Sequence, residues 1–445
     1  LVPQVVYYVN AYAKLLENEE IEDGEKINVV VPTGNFGNIL AAYYAKNIYM
    51  KILLVTGAIY AQNSSRKHFT GLDYVVTQIG QSLSNDNEIV FFTTSPIGEK
   101  SVVDGCKVYS YSNMSVIPYI LKVGLKKYAN VMKMKCSFKE KIKNARSMII
   151  AEYFESIIEK EKPDIIHING ITYGNLLCAN KAAKKYCTAY TLHGLSYKSN
   201  ECSDFQKNIE KSFIRSALEK NIKFSVVSSG VLKNIENDFK RKSNAYIIKN
   251  TIDIKKSGKN RELLRKKYGI PNDANVLICV GSIGQRKNQV QIIRAYQLLP
   301  DEYKEKLYII LAGKNNIKGY INKEIEKINI KDRVIITGFV DKNTLAELYE
   351  ISDANIVVSK SEGFGLSIIE AGYFGLPTIM YKDLDAYEDV YFKGGFTIVE
   401  NREDKNVKDA IIETFNTDWN KNFIKREVEK NKKDLKNQYI RFYND

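Results

Sequence analysis

From residue 51 onward the chain alternates short apolar runs with longer amphipathic ones, and that alternation leaves few folds open. Residues 51–57 (KILLVTG), 88–93, 163–167, 188–192 and 224–227 read as buried strands, and residues 71–83 read as a helix. A second run starts near residue 244, with strands expected at 246–248, 276–280, 307–311, 334–336, 355–358 and 378–380. Helices fill its gaps, for example at 343–350 and 367–373. Strands separated by helices at βαβ spacing imply parallel sheets covered by helices on both faces. Two such runs within 445 residues imply an α/β protein of two domains, each a parallel sheet with helices on both faces.

Three further segments are set apart by composition. Residues 254–275 are charged, with no apolar stripe until Leu277, and suit an interdomain connection plus a surface helix. Residues 419–443 read as one long basic helix. Residues 1–49 hold three lysines and six acids, whereas the whole chain carries +14. Within that acidic stretch, residues 4–16 read as an amphipathic helix, 28–32 as a short buried strand and 39–46 as a helix. Between strand and helix lie Gly34, Asn35, Phe36, Gly37 and Asn38. A glycine-containing turn that opens a helix can cradle a phosphate on unpaired N–H groups, and it can equally be a plain turn.

The wider stretch LVPQVVYYVNAYAKL…GEKINVVVPTGNFGNILAAYYAK resembles an internal piece of threonine synthase, a pyridoxal-phosphate enzyme whose GNFGN-type loop holds the cofactor phosphate. No segment of this chain matches that family's cofactor lysine region, and without the aldimine-forming lysine there is no reaction to run. With Leu1 in first place and Met50 just before the first strand of the alternation, residues 1–49 are expected to be a fusion or assembly remnant without activity of its own. No pyridoxal phosphate is expected.

The segment carrying most chemistry is Ser361-Glu362-Gly363-Phe364-Gly365-Leu366-Ser367-Ile368-Ile369-Glu370. It follows an expected strand and opens an expected helix, so its glycines admit close backbone approach and its N–H groups face any bound phosphate. On spacing alone, Glu362 and Glu370 fit either two carboxylates accepting from two polyols or two surface glutamates around a helix cap. Adjacent Arg286 and Lys287, after the glycine turn Gly281-Ser282-Ile283-Gly284, suit a diphosphate or form a solvated basic pair. His193 ends the strand at 188–192, and His167 ends the one at 163–167. A lone histidine there is either structural or a cleft contact. His68 carries the weakest case of the three.

SEGFGLSIIEAGYFGLPTI resembles the Glu-(x)7-Glu signature of family 4 glycosyltransferases, the group 1 glycosyl transferases of the GT-B fold, and the likeness extends over residues 50–445. The resemblance implies two Rossmann-like domains with a cleft between them. It places an acceptor domain at 50–240, a nucleotide-sugar domain at 241–420 and a helix at 421–445 packing back on the first domain. It makes Glu362 the donor-sugar contact and Glu370 the ribose contact, with the backbone of Gly363, Phe364, Gly365, Leu366 and Ser367 near sugar and diphosphate. Lys287 matches the diphosphate lysine. Ser282 stands where the family often has arginine, so Arg286 is expected to act from a different backbone position. His193 matches a histidine on the donor-sugar side, and Gly71 matches a loop glycine near the diphosphate. Gly338, Phe339 and Val340 match the loop whose backbone faces the base, and equally fit an ordinary strand-end turn. Asn250 and Asp253 resemble the family's Asn-Gly-x-Asp hinge turn, with Thr251 in place of glycine.

The resemblance implies a retaining glycosyltransferase that moves a sugar from a nucleotide-diphosphate sugar to a glycan or polyprenyl-diphosphate-linked acceptor. The expected role is in capsule, exopolysaccharide or other cell-envelope synthesis. No metal is expected, since no Asp-x-Asp motif stands in a metal-binding context. Six cysteines without a C-x-x-C pair, and no apolar run of about 20 residues, point to a cytoplasmic protein. Residues 122–146 interleave nine basic side chains with Leu125, Val131, Met132 and Phe138. Such a segment fits a solvated helical face, or contact with an anionic membrane at the inner face of the cell membrane. The +14 charge admits a nucleic-acid partner, but no recognised binding motif accompanies it and none is expected.

Overall fold

The computed structural model describes residues 2–18, 20–21, 27, 50–60, 69–96, 102–315, 317, 319–432 and 434–444. By contacts the chain divides into two compact units, Leu1–Thr191 and Leu192–Asp445.

The first unit opens with a helix, Val2–Glu17. Its strands are β1 (Lys51–Thr56), β2 (Glu88–Thr93), β3 (Val102–Val103), β4 (Cys106–Ser110), β5 (Ile165–Asn169) and β6 (Cys187–Leu192). They lie in the order β3-β4-β2-β1-β5-β6. All pairings are parallel except β3 with β4. That hairpin turns at Asp104 and Gly105, both with positive φ (49° and 79°), as a tight two-residue hairpin requires. Ile52 to Val55 on the central strand are wholly buried, as expected of a sheet covered on both faces. The helix expected at 71–83 forms over Gly71–Leu83 and is closed by a Thr70–Asp73 capping box.

In the second unit β7 (Phe224–Val226) pairs in parallel with β8 (Tyr246–Ile247). A separate six-stranded sheet follows: β9 (Asn275–Val280), β10 (Leu307–Ala312), β11 (Val334–Gly338), β12 (Ala354–Val357), β13 (Thr378–Tyr381) and β14 (Phe396–Val399). Its order is β11-β10-β9-β12-β13-β14, and every pairing is parallel. This is the doubly wound order, which reverses direction between β9 and β12. Alternate residues feed opposite cores: Leu277 and Cys279 join one buried cluster, Val276 and Ile278 the other.

Two expectations need correction. Residues 254–275 do lie mostly at the surface, but they are not without a core contribution: Ile254, Leu264, Ile270 and Ala274 are buried in the cluster that holds Val276. Only the short helix Arg261–Lys267 forms there. Its Arg265 is buried and donates to the carbonyls of Ile351, Asn272 and Ala274 and to Asp353. The charged composition conceals a guanidinium whose donors are satisfied inside the protein.

The basic tail is two helices, Lys421–Lys430 and Leu435–Asn444. Asp434 accepts from the Asn437 N–H at 3.1 Å, capping a new helix instead of extending the old one. The first of the two packs where Gly372 has no side chain: a Cβ there would lie 2.5 Å from Val428 Cγ2. The second sets Phe442 edge-on against Tyr246 at 5.1 Å, and Lys223 Nζ donates to the Tyr443 carbonyl at 3.3 Å.

Candidate functional site

In a parallel doubly wound sheet, ligands collect outside the carboxyl ends of the strands, where the strand order reverses. That point in the second unit lies between β9 and β12. The turn leaving β9 carries Gly281, Ser282, Arg286 and Lys287, and the turn leaving β12 carries Ser359, Glu362, Gly363 and Gly365.

The two turns are joined by charge. Lys287 Nζ donates to Glu362 Oε1 at 2.5 Å, and Arg286 Nη1 lies 3.7 Å from Glu362 Oε2. Arg286 also donates to the Ser361 carbonyl at 3.1 Å. Gly281 makes room for the lysine: a Cβ there would stand 2.6 Å from Lys287 Cε. Glu362 is buried, with 7% of its surface exposed. Desolvation raises its pKa, but the charges of Lys287 and Arg286 and the hydrogen bonds from Lys287 and Ser359 outweigh that and hold the carboxyl below its ordinary value. Ser359 Oγ donates to the same Oε1 at 2.5 Å. Sequence reasoning missed Ser359; a hydroxyl three residues before the carboxylate was the available signal.

His193 and Gly194 meet the β12 turn through backbone. A Cβ on Gly363 would collide with the His193 carbonyl, and a Cβ on Gly194 would lie 3.9 Å from Gly363 Cα. Desolvation drops the His193 pKa to about 3, although part of its surface remains accessible. It is therefore a neutral imidazole at physiological pH. Glu201, nearby in the same loop, was also missed: its Oε1 accepts from the Arg286 backbone N–H at 2.8 Å.

Gly365 has φ +79° and caps the helix Leu366–Tyr373, with no side-chain cap on the first N–H groups. Phe364 and Ser367 are buried beside it. Two turns along, Glu370 accepts from Tyr349 Oη at 3.0 Å. Desolvation pushes its pKa up to about 7, and the hydroxyl of Tyr349 and the charges of Lys342 and Lys287 only partly offset this. Tyr349 had no sequence signal, because the helix carrying it (Lys342–Ile351) is distant in the chain. Gly338 ends β11 with φ +69° and bridges Gly313, with Phe339 and Val340 half-buried beyond it. In the turn Asn250–Asp253, Asp253 pairs with Lys342, and Asn250 is buried.

The structure thus brings Arg286, Lys287, Glu362, Gly363 and His193 together. Gly71 begins its helix in the first unit, with no heavy atom within 4 Å of where a Cβ would stand. His167 is fully buried in β5 and shares a 2.7 Å hydrogen bond with Thr191 Oγ1. The structural alternative is the one that holds for it. His68 and the loop Gly34–Asn38 lie outside the described residues.

Residues 260–433 match the family described as glycosyl transferases group 1. An uncharacterized glycosyltransferase from Methanocaldococcus jannaschii is 27% identical over 128 residues, 29% of this chain and 32% of that protein. The chain therefore spans about a third of that relative's length. The UDP-Gal:alpha-D-GlcNAc-diphosphoundecaprenol alpha-1,3-galactosyltransferase of Escherichia coli is 22% identical over 306 residues, 62% of this chain and 76% of that protein. In structure the chain resembles HepE from Anabaena, solved with UDP and glucose. The TM-score is 0.64 at 16% identity, covering 88% of this chain and 98% of that one. A separate match, 54% identical over 46 residues, is to threonine synthase-like 1 of Mus musculus; it covers 10% of this chain and 6% of that protein.

Proposed function

We propose that this chain, whose residues 260–433 match the group 1 glycosyl transferases and whose fold is a GT-B fold of two Rossmann-like sheets, is a retaining transferase using a nucleoside-diphosphate sugar. The observation that carries this reading is the Lys287–Glu362 contact of 2.5 Å at the strand-order reversal. A cation for a diphosphate and a carboxylate for sugar hydroxyls stand side by side there. Glu370 takes the ribose hydroxyls. The uncapped N–H groups after Gly365 add positive potential toward the phosphates.

In the proposed step the bond from the sugar's anomeric carbon to the diphosphate oxygen breaks. A bond to the acceptor oxygen forms on the same face, and the acceptor's proton passes to the departing phosphate. Lys287 and Arg286 stabilise the leaving charge, so the protein's contribution is mainly orientation and electrostatics. No cofactor or metal enters this reading, and turnover should survive a chelator. The acceptor is a glycan or a polyprenyl-diphosphate-linked sugar of the cell envelope. The test is a panel of UDP-, GDP- and ADP-sugars, with nucleoside-diphosphate release measured and the product's anomeric configuration read by NMR. An inverted product sinks the retaining mechanism, and no release from any donor sinks the assignment.

A lipid-linked acceptor places the enzyme at the cytoplasmic face of a membrane, and one surface of the first unit favours that. Leu121, Leu125 and Phe138 are 91%, 89% and 71% exposed among the lysines of residues 122–146. Lys126, Lys127, Lys133 and Lys135 are all exposed. Basic residues near an anionic bilayer contribute about 1 kcal/mol each, and the apolar side chains add burial in the headgroup zone. Among the described residues no helix is long and apolar enough to cross a membrane. Pelleting with phosphatidylglycerol vesicles should be lost when those four lysines become glutamine; persistence removes the membrane contact.

A further inference from the structure

Glu362 Oε1 receives two donors, Lys287 Nζ and Ser359 Oγ, each at 2.5 Å. If Lys287 swings toward a diphosphate, only the serine remains on that oxygen. Ser359 is itself fixed from outside the site: its carbonyl accepts from Arg402 Nη1 at 2.8 Å. Arg402 follows β14 at the sheet's far edge and is anchored three ways. Its guanidinium lies 4.2 Å from the Tyr381 ring centroid and makes a two-pronged bond to Asp383 at 3.1 and 2.8 Å. Its carbonyl accepts from Gln291 Nε2 at 2.6 Å. Gln291 Oε1 in turn accepts from Tyr381 Oη and from Asn288 Nδ2, each at 2.7 Å. Asn288 is the neighbour of Lys287, so the hydrogen bonds close a ring beneath the two charged turns.

We propose that Ser359 and Arg402 are positioning residues for glycosyl transfer, holding the Glu362 carboxylate in place when Lys287 turns to the donor's diphosphate. This rests on the reading of Glu362 as the donor-sugar contact. The physical reason is that a carboxylate in a buried site keeps one orientation only while directed donors hold it. A hydroxyl bonded to a charged group is worth more than one bonded to a neutral partner. Arg402 supplies a planar fork that lysine cannot reproduce. With Oε1 held by the serine, Oε2 is the oxygen left to accept from a sugar hydroxyl. Ser359 thereby selects which face of the carboxylate works.

The experiment measures hydrolysis of the best donor from the UDP-, GDP- and ADP-sugar panel, together with calorimetric binding of the matching nucleoside diphosphate. Ser359→Ala should lower kcat about tenfold or more and leave nucleoside-diphosphate affinity within about twofold. Ser359→Thr, which keeps the hydroxyl, should recover most of the loss. Arg402→Gln and Arg402→Lys should both lower kcat in the same direction by a smaller factor, about threefold to tenfold. In the Glu362→Gln background, adding Ser359→Ala should change nothing further, because the serine acts only through that carboxylate. Wild-type kcat in folded Ser359→Ala and Arg402→Gln overturns the proposal, as does an additive loss in the double variant. Should Ser359→Ala fail to fold, Arg402→Gln decides, since Arg402 is partly exposed. A fully active Glu362→Gln single variant would instead overturn the site assignment on which this rests.

Discussion

Glu362 and Glu370 lie in one turn-and-helix segment, two helical turns apart, yet they occupy opposite electrostatic states. Glu362 is the more buried, but Lys287, Arg286 and Ser359 surround it and hold its carboxyl below the ordinary value. Glu370 has one neutral partner, Tyr349, and desolvation pushes it up to about 7. Burial alone therefore does not set ionisation; the presence of a cation within hydrogen-bond reach does. The difference suits two tasks. In the proposed reaction one carboxylate would stay charged beside the leaving diphosphate, and the other, raised to about 7, would ionise fully once a ligand's hydroxyls donate to it.

The strongest disturbance of this contrast is Lys287→Ala. It leaves Glu362 with Ser359 and a distant Arg286, and turnover should fall by about a hundredfold or more, the loss expected for a charge-stabilising donor. A near-normal rate would remove Lys287 from the chemistry. Next comes the stability response, which should have opposite signs at the two positions. A carboxyl raised in the folded state contributes stability below about pH 4.5 and loses it as pH climbs through about 7. Glu370→Gln should thus become more stable than the parent as pH rises across that window, by up to ~3 kcal/mol. Glu362, whose pKa is lowered, contributes stability above its unfolded value of 4.5, which is lost as pH falls through the folded pKa. Glu362→Gln should therefore cost stability at neutral pH and less in acid. Denaturant melts at pH 3, 4.5, 6 and 8 read both signs, and two curves of the same sign would refute the contrast.

A finer probe is the pH dependence of nucleotide binding. Affinity should rise as pH passes about 7 and Glu370 ionises, and Glu370→Gln should abolish that limb. His193, pushed down to about 3, should contribute no limb near its ordinary 6.5. The mildest change is that of Tyr349→Phe. Losing one donor should move the Glu370 limb to higher pH, with about 1 kcal/mol lost in affinity at neutral pH. An unmoved limb would show that the tyrosine does not govern Glu370.

The frame is legible in the sequence where local pattern decides. The helix over 71–83 and the strand over 88–93 appear with the bounds expected from alternation and caps. So does the placement of Glu362 and of Lys287 each in the turn leaving a strand, because strand, glycine turn and helix are read within a dozen residues; that β9 and β12 lie side by side is not local. Short elements are harder. β3 and β4 are joined by Asp104-Gly105, a hairpin signal that the two residues of Val102–Val103 scarcely announce. Residues 254–275 defeat pattern reading because their buried positions follow no period and their central buried side chain is an arginine. Ser359, Tyr349, Glu201 and Arg402 matter through tertiary distance, to which one-dimensional spacing is blind.

Arg265 has a practical use. Its guanidinium is consumed by carbonyls just before β9 and at the end of the helix Lys342–Ile351, so a protease that reads arginine cannot grasp it in the native protein. Cleavage after Arg265 during limited trypsin digestion should then track opening of the second sheet. It would give a clock for the integrity of that sheet that needs no ligand at all.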